Sequence, residues 1–212
     1  KKKPRSLILI EKDDKLAKQL EKKYLTKKVK IFNKDILKLN FDKINFNDTI
    51  IFGNLPYNIS SQILVKFIKL KKQLISINCL IFMFQKEVGE KIITVLPSNN
   101  YGRLSILSNF KLNVIDSFLV SPNSFFPKPK VKSMIVYLKP KIQNSFKIKD
   151  IRNLEKITNI FFSNKRKMIN KNLKKIFKNS KTKDIPGLDK NLRPSDLRPD
   201  IYYRITELFE KS

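Results

Sequence analysis

The sequence predicts an α/β fold with a parallel sheet, followed by a small all-α subdomain. Three observations carry that prediction. Short apolar, β-branched runs alternate with segments of helical periodicity from Ser6 to Phe110. Each of the first three runs ends in a polar or acidic turn, the edge at which open α/β sheets bind ligands. After Pro140 the alternation stops and helical, lysine-rich spacing takes over, which divides the chain into residues 1–140 and 141–212.

The first strand is Ser6-Leu7-Ile8-Leu9-Ile10, closed by Glu11-Lys12-Asp13-Asp14, with Leu16, Leu20 and Tyr24 at helical spacing behind it. A carboxylate at that strand end is placed to accept hydrogen bonds from ribose hydroxyls. The same residues equally suit a helix cap at Asp13 or Asp14 and a solvated Glu11. The second strand, Val29-Lys30-Ile31-Phe32, puts Asp35 just past its end, where a carboxylate can accept a hydrogen bond from an adenine amino group. Phe41 to Asn47 reads as a loop.

The third strand, Ile50-Ile51-Phe52, is stopped by Gly53 and by the corner Asn54-Leu55-Pro56-Tyr57. Asn54 offers a side-chain carbonyl, and Pro56 holds Leu55 extended, so that a main-chain carbonyl can face outward beside it. Two acceptors suit an exocyclic amine such as adenine N6, and Tyr57 supplies a face for a flipped-out base. A strand-terminating turn with a core tyrosine fits the tetrapeptide equally well.

Further along, Ile59 to Leu70 reads as a helix, Cys79 to Phe84 as a buried strand, and Gln85 to Leu96 as a helix carrying Val88, Ile92 and Val95. A polar loop from Pro97 to Arg103 precedes a short helix through Phe110. Leu112 to Val120 and Lys132 to Leu138 form an antiparallel pair, because their connection holds three prolines instead of a crossover helix. That connection sets Phe125 and Phe126 beside Lys128 and Lys130, an apolar exposure that an inserted base would cover. Beyond Pro140, one helix carries Ile151, Leu154, Ile157, Ile160 and Phe161, a second Met168, Leu173, Ile176 and Phe177, and a third spans Ile201 to Phe209, after a linker turn at Asp184 to Gly187.

Lys and Arg outnumber Asp and Glu by 46 to 18, a net charge of +28 that attracts polyanions, nucleic acid first. A chain so rich in Lys, Asn and Ile can owe part of that charge to genome composition, so its clustering is the better signal. Between Ser163 and Lys183 lie Lys165, Arg166, Lys167, Lys171, Lys174, Lys175, Lys178, Lys181 and Lys183 with no acidic residue, a candidate phosphate-contact surface. The one cysteine, Cys79, sits in an apolar run as a core residue and leaves no disulfide within the chain. With no histidine, His-based general-base catalysis and the usual zinc sites are excluded, and no metal site is expected. No apolar run is long enough to span a membrane and no signal peptide is evident, so a cytoplasmic monomer is expected.

Seven collinear segments resemble the ribosomal RNA adenine N6-dimethyltransferase family, relatives of the erythromycin-resistance methyltransferases. They are Leu9-Ile10-Glu11-Lys12-Asp13, Asn33-Lys34-Asp35, Asn54-Leu55-Pro56-Tyr57-Asn58-Ile59, Phe84-Gln85-Lys86-Glu87-Val88, Tyr101-Gly102-Arg103-Leu104-Ser105, Phe125 through Ser133, and Phe161 through Lys167. The resemblance implies a Rossmann-like class I methyltransferase sheet that uses S-adenosyl-L-methionine on small-subunit ribosomal RNA during ribosome assembly. By it, Glu11 binds the cofactor ribose and Asp35 its adenine, with Lys12, Ile36 and Asn54 as further cofactor contacts. Asn54, Leu55, Pro56 and Tyr57 form the catalytic corner, with Tyr57 and Phe125 stacking on the target base. Lys128, Lys130, Lys165, Arg166, Lys167, Lys171, Lys174 and Lys175 contact RNA. A non-catalytic assembly factor with the same fold, or an adenine-N6 methyltransferase of large-subunit RNA or DNA, are the competing expectations.

The chain also departs from that family. Members carry a basic arm, a first strand and a Gly-rich loop ahead of the first segment seen here, whereas this sequence opens at Lys1 directly before it and has only four glycines. The expectation is an amino-terminally truncated methyltransferase whose missing strand would be central, with two unpaired strand edges and weak or no cofactor binding. Lys12 stands where the family often has an apolar residue beneath the adenine.

Overall fold

The computed structural model describes residues 4–24, 26, 28–177 and 185–212. Its contacts divide the chain into two compact units, Lys1–Asn45 and Phe46–Ser212.

In the first unit, β1 (Leu7–Glu11) and β2 (Val29–Asn33) pair in parallel, with Glu11 opposite Asn33, and α1 (Asp14–Lys23) connects them. Asp13 caps α1 by accepting a 2.9 Å hydrogen bond from the Leu16 amide, so the capping reading of the acidic turn holds. Asn33 donates 2.8 Å to Asp14, which ties the end of β2 to the start of that helix. Ala17 is the buried residue of α1, while Leu16, expected on its inner face, is 49% exposed. Phe41 to Asn47 is more than a loop: it opens with a 3-10 turn at Phe41–Lys43, flanked in the chain by buried Leu39 and Ile44, a tight turn that sequence spacing does not reveal.

The second unit is built on a mixed four-stranded sheet of β3 (Thr49–Asn54), β4 (Ile77–Gln85), β5 (Leu112–Val120) and β6 (Ser133–Pro140), in the order β3-β4-β6-β5. β3 and β4 are parallel, and β6 is antiparallel to both β4 and β5. The proline-rich connection thus makes the antiparallel edge pair expected of it. Register places Phe82 beside Val136 and Phe84 beside Met134 on the buried face. Phe67 of α2 (Ser60–Ile68) meets Phe82 at 5.6 Å between ring centroids, and α4 (Lys86–Ile93) packs Gly89 against Met134. A Cβ on Gly89 would lie 2.6 Å from the Met134 sulfur, so the close approach of helix to sheet requires glycine there. The other face carries Phe52, 72% exposed, and Phe118, 55% exposed.

Two boundaries differ from the sequence reading. β3 continues through Gly53 to Asn54, because the backbone pairing with β4 extends to Asn54 opposite Met83. α4 ends at Ile93, leaving Val95 and Leu96 more than half exposed instead of on its inner face. A short α3 (Lys72–Ile75) precedes β4, and α5 (Arg103–Lys111) leads into β5.

The helices after β6 are α6 (Ile151–Phe162), α7 (Asn170–Ile176) and α8 (Pro199–Phe209). Phe161 of α6 packs edge-on against Tyr202 of α8 at 5.3 Å. Buried Tyr203 donates a 3.0 Å hydrogen bond to the Ile106 carbonyl and lies 4.9 Å from the Phe110 ring, which fastens α8 onto α5. Met168, expected among the apolar positions of α7, precedes that helix and is 56% exposed. Lys178, Lys181, Lys183 and Asp184 lie outside the described residues.

Candidate methyl-acceptor and cofactor sites

The residues singled out in the sequence fall into two groups, one in each unit. In the second unit, β3 delivers Asn54 to its carboxyl end, where Asn54, Met83, Ile135 and Phe118 form one row across the sheet. Gly53 precedes it because nothing larger fits: an added Cβ would sit 2.6 Å from Leu55 Cδ2 and 2.8 Å from Phe82 Cδ1. In the corner that follows, Asn54 and Pro56 are exposed, while Leu55 and Tyr57 are half-buried. The Ile59 amide donates to the Pro56 carbonyl at 3.1 Å, and the Ser60 hydroxyl to the Tyr57 carbonyl at 3.1 Å, closing the turn onto α2.

Tyr57 is no simple core tyrosine. Its hydroxyl lies 2.6 Å from the Ser133 hydroxyl at the start of β6, and Ser133 is completely buried. The phenol end of the half-buried Tyr57 is therefore anchored by a residue 76 positions away. In the sequence Ser133 is only the end of the Phe125-to-Ser133 segment, with no role of its own. Its one signal was a small hydroxyl residue closing a proline-stiffened loop.

That loop runs from Ser121 to Lys132, opening with a 3-10 turn at Pro122–Ser124 that Ser121 caps. Its far end is held where the Lys86 amide donates 2.9 Å to the Lys132 carbonyl. Phe125 is half-buried, whereas Phe126 is fully exposed. Lys128 and Lys130 are exposed as well. Lys165, Arg166, Lys167, Lys171, Lys174 and Lys175 are all exposed, backed by buried Ile169, Leu173 and Phe177, so the charges form a solvent-facing surface over an apolar underside.

In the first unit Glu11 is the last residue of β1, and its Oε1 accepts a 2.8 Å hydrogen bond from the Asp13 amide. Asp35 and Ile36 follow β2 and are half-buried. Asp35 uses both carboxylate oxygens: Oδ1 accepts 2.9 Å from the Leu37 amide, and Oδ2 lies 3.1 Å from the Lys12 ammonium. The Leu37 amide first and Lys12 second hold the Asp35 carboxyl below its ordinary pKa, so it is an anionic acceptor at neutral pH. Among the described residues no cluster of His, Cys, Asp and Glu could hold a metal ion, and no helix is long and apolar enough to cross a membrane.

Two strand-end carboxylates, then an Asn-Leu-Pro-Tyr corner held in a half-buried pose, follow one another in a single chain, and the ribosomal RNA adenine dimethylase family profile matches it over residues 1–211. The chain belongs to the ribosomal RNA adenine dimethylase family. A protein named ribosomal RNA small subunit methyltransferase A from Pelagibacter ubique (strain HTCC1062) is 47% identical over 211 residues, covering 99% of this chain and 80% of that protein. A protein of the same name from Buchnera aphidicola subsp. Baizongia pistaciae is 34% identical, covering 92% of this chain and 74% of that protein. The fold is shared with the crystal structure of a dimethyladenosine transferase from Plasmodium falciparum, at a TM-score of 0.73 and 24% identity over 97% of this chain and 82% of that one. It is shared too with the 23S rRNA methyltransferase ErmE, at a TM-score of 0.67 and 20% identity over 98% of this chain and 83% of that one. The mixed α/β architecture is thus Rossmann-like.

S-adenosylmethionine is the methyl donor of this dimethylase family, and the chemistry of the donor set in the first unit fits its adenosine part. Glu11 retains carboxylate lone pairs for ribose hydroxyls, and Asp35 is an ionised acceptor for an adenine amine.

Proposed function

We propose that this chain transfers methyl groups from S-adenosylmethionine to N6 of adenosines in small-subunit ribosomal RNA during ribosome assembly, acting as a cytoplasmic monomer. The observation that carries the reading is the corner itself: exposed Asn54 at the end of β3, three residues before a tyrosine whose hydroxyl is anchored to buried Ser133.

When bound, S-adenosylmethionine supplies a methyl group on a positively charged sulfur, already activated toward a nucleophile. The chain's own residues then need to position an amine and keep water away. The Asn54 side-chain carbonyl and the Leu55 main-chain carbonyl accept the two N6 hydrogens, which directs the nitrogen lone pair along the line of transfer. Both acceptors also favour the developing positive charge on that nitrogen. Tyr57 and Phe125 stack on the flipped-out base, and Pro56 keeps the corner rigid. The bound donor would give up its methyl group to N6 with the neutral thioether as leaving group, and the surplus proton on nitrogen would pass to water, so no histidine is needed.

Glu11 and Asp35 hold ribose and adenine of the cofactor, with Lys12 and Ile36 beside them. Residues 1–140 form the methyltransferase part. Residues 141–212 form a basic RNA-binding subdomain, in which Lys165 through Lys175 contribute salt-dependent phosphate contacts together with Lys128 and Lys130. Transfer of labelled methyl groups to unmodified small ribosomal subunits tests the reading. Asn54→Ala should abolish transfer and leave RNA affinity unchanged. Transfer equal to the parent chain would overturn the role of Asn54.

A further inference from the structure

We propose that Phe126 is a second base-stacking platform that takes an unpaired RNA base adjoining the one to be methylated, distinct from the stacking assigned to Phe125. The inference rests on the reading that the substrate is RNA.

Phe126 has 102% relative exposure, beyond the 72% of Phe52 and the 55% of Phe118. Phe125, its neighbour, is half-buried, so the two rings differ in surroundings. The loop is also built to limit the backbone freedom at the exposed ring. Phe126 precedes Pro127 and Lys128 precedes Pro129, and a following proline restricts each of these residues to extended conformations. The loop's start is fixed by the Ser121 cap, where the Ser124 amide donates 3.0 Å to the Ser121 carbonyl. Its exit is fixed by the Lys86 amide and by the Ser133–Tyr57 pair, which also ties it to the catalytic corner. A backbone restricted before binding loses less conformational entropy on contact.

The occupant follows from charge. No acidic residue occurs between Ser117 and Lys139, while Lys128, Lys130 and Lys132 fall in that stretch. An aromatic face amid lysines is the combination by which proteins hold single-stranded nucleic acid, with lysines on the phosphates and the ring on a base.

The test is binding of a single-stranded oligoadenylate RNA that carries 2-aminopurine, read as fluorescence quenching across a salt series. Phe126→Ala should weaken binding by between about fivefold and a hundredfold and reduce the quench. It should leave the slope of log affinity against log salt unchanged, since no charge is removed. Phe126→Trp should restore both affinity and quench. Replacing Lys128 and Lys130 by Gln should instead lower the slope by roughly 1.4. Parental affinity and quench in Phe126→Ala would overturn the inference. If that variant behaves as the parent while Asn54→Ala still loses methyl transfer, the platform fails and the proposed function stands.

Discussion

The hydroxyl of Tyr57, three residues past the strand end that carries Asn54, lies 2.6 Å from that of Ser133, a fully buried residue at the start of β6. One hydrogen bond thus couples the Asn54–Tyr57 corner to the strand that leaves the Phe125–Lys130 loop. Its net contribution to stability is about 1 kcal/mol, and its larger effect is to fix the pose of the Tyr57 ring. Ser133→Ala and Tyr57→Phe should each reduce methyl transfer, and the double variant should be no worse than either alone. Ser133→Thr, which keeps a hydroxyl, should recover most of the activity. Additive losses in the double-mutant cycle would show that the two hydroxyls act separately.

Gly53 is pinned between Leu55 and Phe82. A methyl group there meets Phe82 Cδ1 at 2.8 Å, and Phe82 cannot retreat because Phe67 and Phe84 flank it at 5.6 and 6.1 Å. Gly53→Ala should cost about 1–3 kcal/mol of stability by overpacking. By displacing Leu55 it should also lower transfer further than the stability loss explains, as denaturant unfolding run beside the transfer assay will show.

Lys12 and Asp35 form an ion pair at 3.1 Å whose lysine side chain is 75% exposed. Exposed pairs of this kind contribute little net stability. An adenine amine approaching Asp35 competes with that ammonium for Oδ2. Lys12→Met should therefore leave the melting temperature unchanged while tightening S-adenosylhomocysteine binding by up to about fivefold in calorimetry. Asp35→Asn should weaken the same binding. Weaker binding in Lys12→Met would instead show that the Lys12 ammonium itself, and not only its aliphatic stem, contacts the cofactor.

Asp150 caps α6, accepting 2.9 Å from the Arg152 amide and 2.8 Å from Arg152 Nε. The Arg152 side chain first, then its amide, lower the Asp150 carboxyl to about 2. Since the folded value lies below the ordinary 3.8, the stabilisation is fully present above that value and is lost as pH falls toward 2. Asp150→Ala should cost about 1 kcal/mol near neutral pH, roughly 2–4 °C in melting temperature. The difference from the parent chain should shrink as the pH is taken down through that window.

Much of this was legible in the sequence because local chemistry dictates it. The apolar runs, an acidic turn able to cap a helix at Asp13 or Asp14, the Asn54–Tyr57 corner, the antiparallel pair forced by three prolines and the lysine surface backed by Leu173 and Phe177 all follow from spacing within about ten residues, whereas the burial of Ile169 in place of Met168 does not. Element ends were less so. β3 outruns its apolar residues to Asn54 because backbone pairing with β4 continues there, and α4 stops before Val95 although the apolar spacing goes on.

The tertiary structure alone decided which groups meet. It brings Ser133 to Tyr57 across 76 residues, closes Lys12 onto Asp35, sets Phe82 against Gly53, and buries part of Phe125 while leaving Phe126 in solvent. Two adjacent phenylalanines have the same intrinsic preference for burial, and only the path of the loop between β5 and β6 separates them. Residue type and period set what each segment can form by itself. Side-chain partners depend on register and packing between segments far apart in the chain, and those are settled when the sheet and helices come together.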